Sequence, residues 1–148
     1  MGTRSSIRVI SKSTDKETGK VYTAKHMLLY NQMDGYPEGH PLDTAKWLST
    51  AKVVNGFSLG ETELVFNGAG CLAAQLVAHY KKGTGGAYLE PLSTRGKSWE
   101  NYLYDIIVDE DSMQIEIVAF ENNTKRPKEI FRGSPAQYVA KYEKVTAE

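Results

Sequence analysis

The sequence predicts an α+β fold, a single domain with an antiparallel β-sheet and about three helices packed against it. Three observations carry this expectation. Apolar and polar residues alternate with a period of two in runs near both ends of the chain. Two stretches with helical apolar spacing sit together in the middle rather than between successive strands. A third helix start, Ser134-Pro135-Ala136-Gln137, closes the series.

Taken in order, residues 5–12 read as a strand with Ile7 and Val9 on one face and Arg8 and Ile10 on the other. The polar run 13–20 contains Gly19 and reads as a turn, and 21–31 is the returning strand of a hairpin. A helix is expected from about residue 41 to 54. Pro41 suits its first turn, Asp43 suits its positive end, Leu48, Ala51 and Val54 form its stripe, and Asn55-Gly56 stops it. A second helix is expected over 68–80, with Leu72, Leu76 and Tyr80 on one face and a Lys81-Lys82-Gly83 ending. Its Ala-rich face suits burial in the domain or against another subunit. Strands follow at 87–91, 102–108 and 114–120, the last two flanking the turn signal Asp109-Glu110-Asp111-Ser112. A short strand at 129–132 precedes the final helix, where Ser134 caps and Gln137 stands three residues on.

The 148 residues suffice for one domain with a core, 1–148. Hydrophobic residues make up 41% and charged residues 24%, both ordinary globular values. Lys plus Arg is 18 and Asp plus Glu is 18. That balance argues against a DNA or RNA polymer as partner, since non-specific nucleic-acid binding needs a basic excess. It leaves room for a small anion in a local pocket. The single Cys71 admits no disulfide within the chain and fits a reducing cytosol. From the polar start, Gly2 to Ser6, no secretory leader is expected, and no apolar run suits a membrane span. Asn122-Asn123-Thr124 is a glycosylation sequon, read here as a turn.

The search for chemistry starts at Asp34-Gly35-Tyr36-Pro37-Glu38-Gly39-His40, which puts an aromatic, two acids and a histidine into seven residues between a strand and a helix. Its glycines allow close backbone approach and Pro37 restricts the loop, as in a loop that shapes a pocket. No pair among His26, His40 and His79 has metal-ligand spacing, so neither a metal nor a cofactor is expected. Cys71 reads as a small buried hydrophobe, His79 as packing or surface, and no catalytic residue is assigned. Asn67-Gly68-Ala69-Gly70 opens the second helix, where free N–H groups and the dipole favour phosphate, or where Asn67 is simply a cap. Arg95, Lys97 and Trp99 fall in one loop, where Arg would pair with phosphate and Trp stack on a base, or solvate and pack. Tyr102 and Tyr104 share a strand face.

Met1-Gly2-Thr3-Arg4-Ser5 and the Asp34–His40 loop, together with Asn67-Gly68-Ala69-Gly70 and Gly85-Gly86-Ala87-Tyr88, resemble a group of small phage and prophage proteins. The likeness is to the phage anti-Thoeris sponge family of the first described type and runs over most of the chain. It implies a protein of the host bacterial cytoplasm that binds a cyclic ADP-ribose isomer made by a TIR-domain defence enzyme without degrading it. It further implies binding of cyclic di- or trinucleotides of the CBASS defence, and assembly through dimers into hexamers. Such a ligand needs a stack, expected from Tyr36, Tyr88 or Trp99. It needs phosphate donors, expected from Asn67, Gly68, Ala69 and Gly70 with Arg95 or Arg132. His40 belongs to the signature loop. Arg4 and Arg8 are expected around an oligomer axis as a second cyclic-nucleotide site. The other readings are a phosphodiesterase or nucleotide hydrolase using His40 with Asp34 or Glu38, and a phage protein that binds a host protein.

Overall fold

A computed structural model describes residues 2–54, 64–123 and 125–143. The Asn55-Gly56 stop signal and Thr124 of the sequon lie outside these residues, as does Met1. Eight strands and three helices are described: β1 (Ser5–Thr14), β2 (Val21–Asn31), α1 (His40–Ser49), β3 (Lys52–Val54), β4 (Val65–Asn67), α2 (Gly68–Tyr80), β5 (Ala87–Leu89), β6 (Tyr102–Asp109), β7 (Gln114–Asn122), β8 (Pro127–Gly133) and α3 (Pro135–Tyr142). Six strands form one sheet in the order β5-β2-β1-β6-β7-β8.

The α+β class holds, with one difference in the sheet. It is mixed, because β1 runs parallel to β6 with Ser5 opposite Tyr102 and Lys12 opposite Asp109. Its other neighbours are antiparallel. A second difference concerns α1, which ends at Ser49 rather than near Val54. The Ser49 hydroxyl donates to the Lys46 carbonyl at 2.7 Å, and that of Thr50 to the Trp47 carbonyl at 2.9 Å. Hydroxyls that take the last carbonyls compete with further helix. The β-branched Val53 and Val54 then pair in parallel with Phe66 and Asn67 of β4.

The period of two sorts each strand into two faces. Ile7, Val9, Tyr104, Ile106, Val108, Ile117 and Ala119 project to the side where Leu42, Ala45 and Leu48 of α1, Leu72 and Leu76 of α2, and Tyr138 and Tyr142 of α3 complete the core. The opposite face carries Arg8, Leu28, Leu103, Asp105 and Val118, and the segment 90–101 lies across part of it. Arg95 of that segment reaches both Asp105 and the ring of Phe120. The α3 capping box forms as expected: Gln137 N–H donates to Ser134 Oγ, and Ser134 N–H donates to Gln137 Oε1.

Candidate ligand-binding site

The Asp34–His40 loop is pinned from beneath. The buried Tyr104 hydroxyl donates to the Gly35 carbonyl at 2.7 Å, and the buried Tyr138 hydroxyl to the Pro37 carbonyl at 2.8 Å. Gly35 N–H donates to the Thr3 carbonyl at 3.0 Å, which ties the loop to the N-terminal segment. A Cβ at Gly35 would collide with the Ser5 side chain, and one at Gly39 with the Asp34 carbonyl. Gly35 and Pro37 are therefore structural positions. Tyr36 points outward and is exposed. His40 starts α1 and sets its ring against Tyr80, centroids 5.5 Å apart.

The arginines fall into different environments. Arg8 Nε and Nη2 grip the Asp105 carboxylate at 3.0 and 2.9 Å, and Arg95 Nη2 adds a contact at 3.3 Å. Side-chain exposures of 16%, 16% and 7% make this a largely covered triad. Burial works against the Arg95 charge, and Asp105 counters it. Arg8 and Arg95 thus hold the second face of the sheet together. Arg132 lies at the surface between Glu116 and Glu129, each 3.0 Å away. Arg4 is different. Its backbone is locked to Asn101 through N–H to Oδ1 at 3.1 Å and through Asn101 N–H to the Arg4 carbonyl at 2.8 Å. Among the described residues its guanidinium has no ion pair.

At the start of α2, Gly68 takes φ +78° and Ala69 is buried. Glu110 Oε2 stands 3.9 Å from the place of a Gly68 Cβ, so a phosphate at this helix end would meet a carboxylate. Gly70 faces open space. Tyr88 lies on β5 opposite Tyr30, with Lys81 Nζ 5.2 Å from its ring centre.

Two other expected site residues, Arg4 and Trp99, share a groove. They line a groove of ≈ 670 Å³ at the N-terminal end of β1 and β6, with Asn101, Tyr102, Glu121 and Asn123 among its other walls. Trp99 is 83% exposed and sits at φ +66°, a conformation rare for a bulky side chain. Its loop is firmly built. The buried Glu100 carboxylate accepts Gly96 N–H at 2.9 Å and Ser98 N–H at 2.7 Å. Asn122 Nδ2 donates to the Gly96 and Glu100 carbonyls. The fold therefore holds an indole in water beside a cation and side-chain amides. Residue patterning missed Glu100, Asn101, Asn122 and Asn123. The available signal was a lone Trp within the polar run 97–101.

Elsewhere, His79 stacks on Trp47 with centroids 4.3 Å apart, and Cys71 is half-buried with Gln75 donating to its sulfur at 3.4 Å. Among the described residues no three His, Cys, Asp or Glu side chains are grouped to hold a metal ion, and no helix is long and apolar enough to cross a membrane. No protein-family model, no curated protein and no solved structure matches this chain.

Proposed function

We propose that this chain binds and sequesters a nucleotide signal of the cyclic ADP-ribose class without cleaving it, in the host bacterial cytoplasm, as a phage counter to TIR-based immunity. The observation that carries the reading is Trp99, an indole 83% exposed on a loop that cannot easily fold it away. A base stacks on such a ring for about 1–3 kcal/mol. Arg4, on the same groove, supplies a cation for a pyrophosphate, while Asn101, Asn123 and Glu121 offer partners for ribose hydroxyls. The ≈ 670 Å³ groove falls within the range of small-molecule sites. Cyclic oligonucleotides share this chemistry and are the second ligand class of the proposal. Self-association through dimers to hexamers is also part of it. The outer edge of β5, which pairs with no further strand among the described residues and exposes Tyr88 and Leu89, supports such a contact.

A sequestering protein must bind below the signalling concentration, so a nanomolar Kd, about −12 kcal/mol, is expected. The test incubates purified protein with a TIR-made cyclic ADP-ribose isomer, removes the protein by filtration, and releases the ligand by heat for mass spectrometry. Intact ligand is expected, with the affinity of Trp99→Ala reduced about five- to 150-fold, the loss of one stacked base. A cleaved product would establish the hydrolase reading instead. No retention, with a host protein captured, would establish the protein-binding one.

A further inference from the structure

A second cleft, ≈ 320 Å³, is lined by the end of β2, the ends of the Asp34–His40 loop at the start of α1, and the segment after α2. Asn31 is 3% exposed and lines it, and its side-chain Nδ2 is buried with no hydrogen-bond partner among the described residues. A buried amide donor left without an acceptor is costly, so a position like this calls for one. The same cleft is lined by Lys82-Gly83-Thr84-Gly85-Gly86. Gly83, Gly85 and Gly86 take φ +140°, +78° and +77°, and a Cβ at Gly83 or Gly86 would meet nothing within 4 Å. Backbone conformation, not space, therefore requires glycine there. Two carbonyls of this loop are occupied: that of Gly85 accepts from Ala87 N–H and Lys81 Nζ, and that of Gly86 from Gln32 N–H. Its N–H groups from Gly83 to Gly86 make no hydrogen bond among the described residues. Successive free N–H groups on a loop with left-handed residues form a concavity for anions.

We infer that this cleft is a second, separate binding site for a small phosphate-bearing polyol, with the phosphate on the Gly83–Gly86 N–H groups, Lys82 and Asn31 Nδ2. Asp34 and His40 line the same cleft and are suited to the hydroxyl end of such a ligand, since a carboxylate accepts from a hydroxyl and repels a phosphate. The cleft volume suits a pentose phosphate rather than a dinucleotide. The site shares no lining residue with the Trp99 groove, so it stands or falls independently of the proposed function.

The test is a ¹⁵N NMR titration of the full chain with ribose 5-phosphate, and in separate samples with ribose and with inorganic phosphate. The concentration runs to about 10 mM, where even a millimolar ligand is mostly bound. Ribose 5-phosphate is expected to shift the amides of residues 83–86 and the Asn31 side-chain NH₂, and to leave those of residues 96–101 in place. Inorganic phosphate alone should shift the same loop amides more weakly, and ribose should shift none. Lys82→Ala, a change at an exposed position, should weaken binding about fivefold or more, the effect of a charge-assisted contact. Asn31→Asp should abolish it, and Trp99→Ala should leave it unchanged. Absence of shifts at the Gly83–Gly86 loop, or binding untouched by Lys82→Ala, would overturn the inference. Shifts confined to residues 96–101 would do so as well.

Discussion

The Tyr138 hydroxyl donates to the carbonyl of Pro37 at 2.8 Å, joining residues 101 apart in the chain. Tyr138 is fully buried in the core, and burial raises its pKa above the usual tyrosine range, so it stays a neutral donor. Tyr138→Phe keeps the packing and leaves a buried carbonyl without its donor. A loss of about 1–3 kcal/mol is expected. For a chain of this size that lowers Tm by roughly 3–10 °C, read by thermal denaturation. Tyr104→Phe should have a loss of the same order, because its hydroxyl holds the Gly35 carbonyl of the same loop.

Asp105 serves two arginines at once. Asp105→Ala leaves Arg8 and Arg95 facing each other across a covered space, and about 3–5 kcal/mol of stability should be lost. Replacing all three by apolar residues, with Arg8→Met, Arg95→Met and Asp105→Leu, should be far milder, close to neutral. Urea denaturation of the two variants side by side checks the contrast. Equal losses would mean that the triad's charges do not oppose one another.

His79 gives a pH dependence. Burial, with repulsion from Lys82, holds it below the usual histidine value, against a weaker pull from Asp43. The unfolded chain therefore binds this proton more readily than the folded one. The contribution is fully present above about pH 6.5 and fades as pH falls through the lower folded value. Stability should rise with pH across that window, and His79→Gln should flatten the rise. Because the imidazole stacks on Trp47 at 4.3 Å, Trp47 fluorescence in a Trp99→Phe background should fall on acidification with a midpoint below about 6.5.

Trp99 is held in a conformation that costs a bulky residue about 1–2 kcal/mol. Glycine relieves that strain and loses about 0.5–1 kcal/mol through the freer unfolded chain. Trp99→Gly should therefore be neutral or slightly stabilising in a melting experiment. The same substitution should remove nucleotide retention.

Much of this was legible in the residues. The hairpin strands, the bounds of α2 and the α3 capping box follow local rules of spacing and capping. The expected α1 end ran too far because Ala51 and Val54 continue the helical stripe of Leu48, while Val53 and Val54 suit a strand equally well. Their pairing with β4 is a tertiary event that the spacing does not record. The parallel β1–β6 contact is invisible for the same reason, since alternation reports a strand and not its neighbour. Among the site residues, Arg95 and Trp99 stand four positions apart, yet one turns onto Asp105 and the other into solvent. What separates them is the buried Glu100 carboxylate, which reads in the sequence as an ordinary surface acid. Asn31 closes an unremarkable strand, and only its burial beside the Gly83–Gly86 loop gives it a role.

The parallel seam at the middle of the sheet sets an order of events during synthesis. The β1–β2 hairpin can close as soon as residue 31 has emerged, but Val9 and Ile7 lack their β6 flank until residue 109 is made. At about 5–20 residues per second the hairpin waits several seconds with that edge bare. Pairing over such separations is slow to form, and spontaneous refolding on a millisecond-to-second scale is expected. A nascent chain stalled before β6 would expose an unpaired apolar strand edge, which makes this interval the one most open to mispairing with another chain.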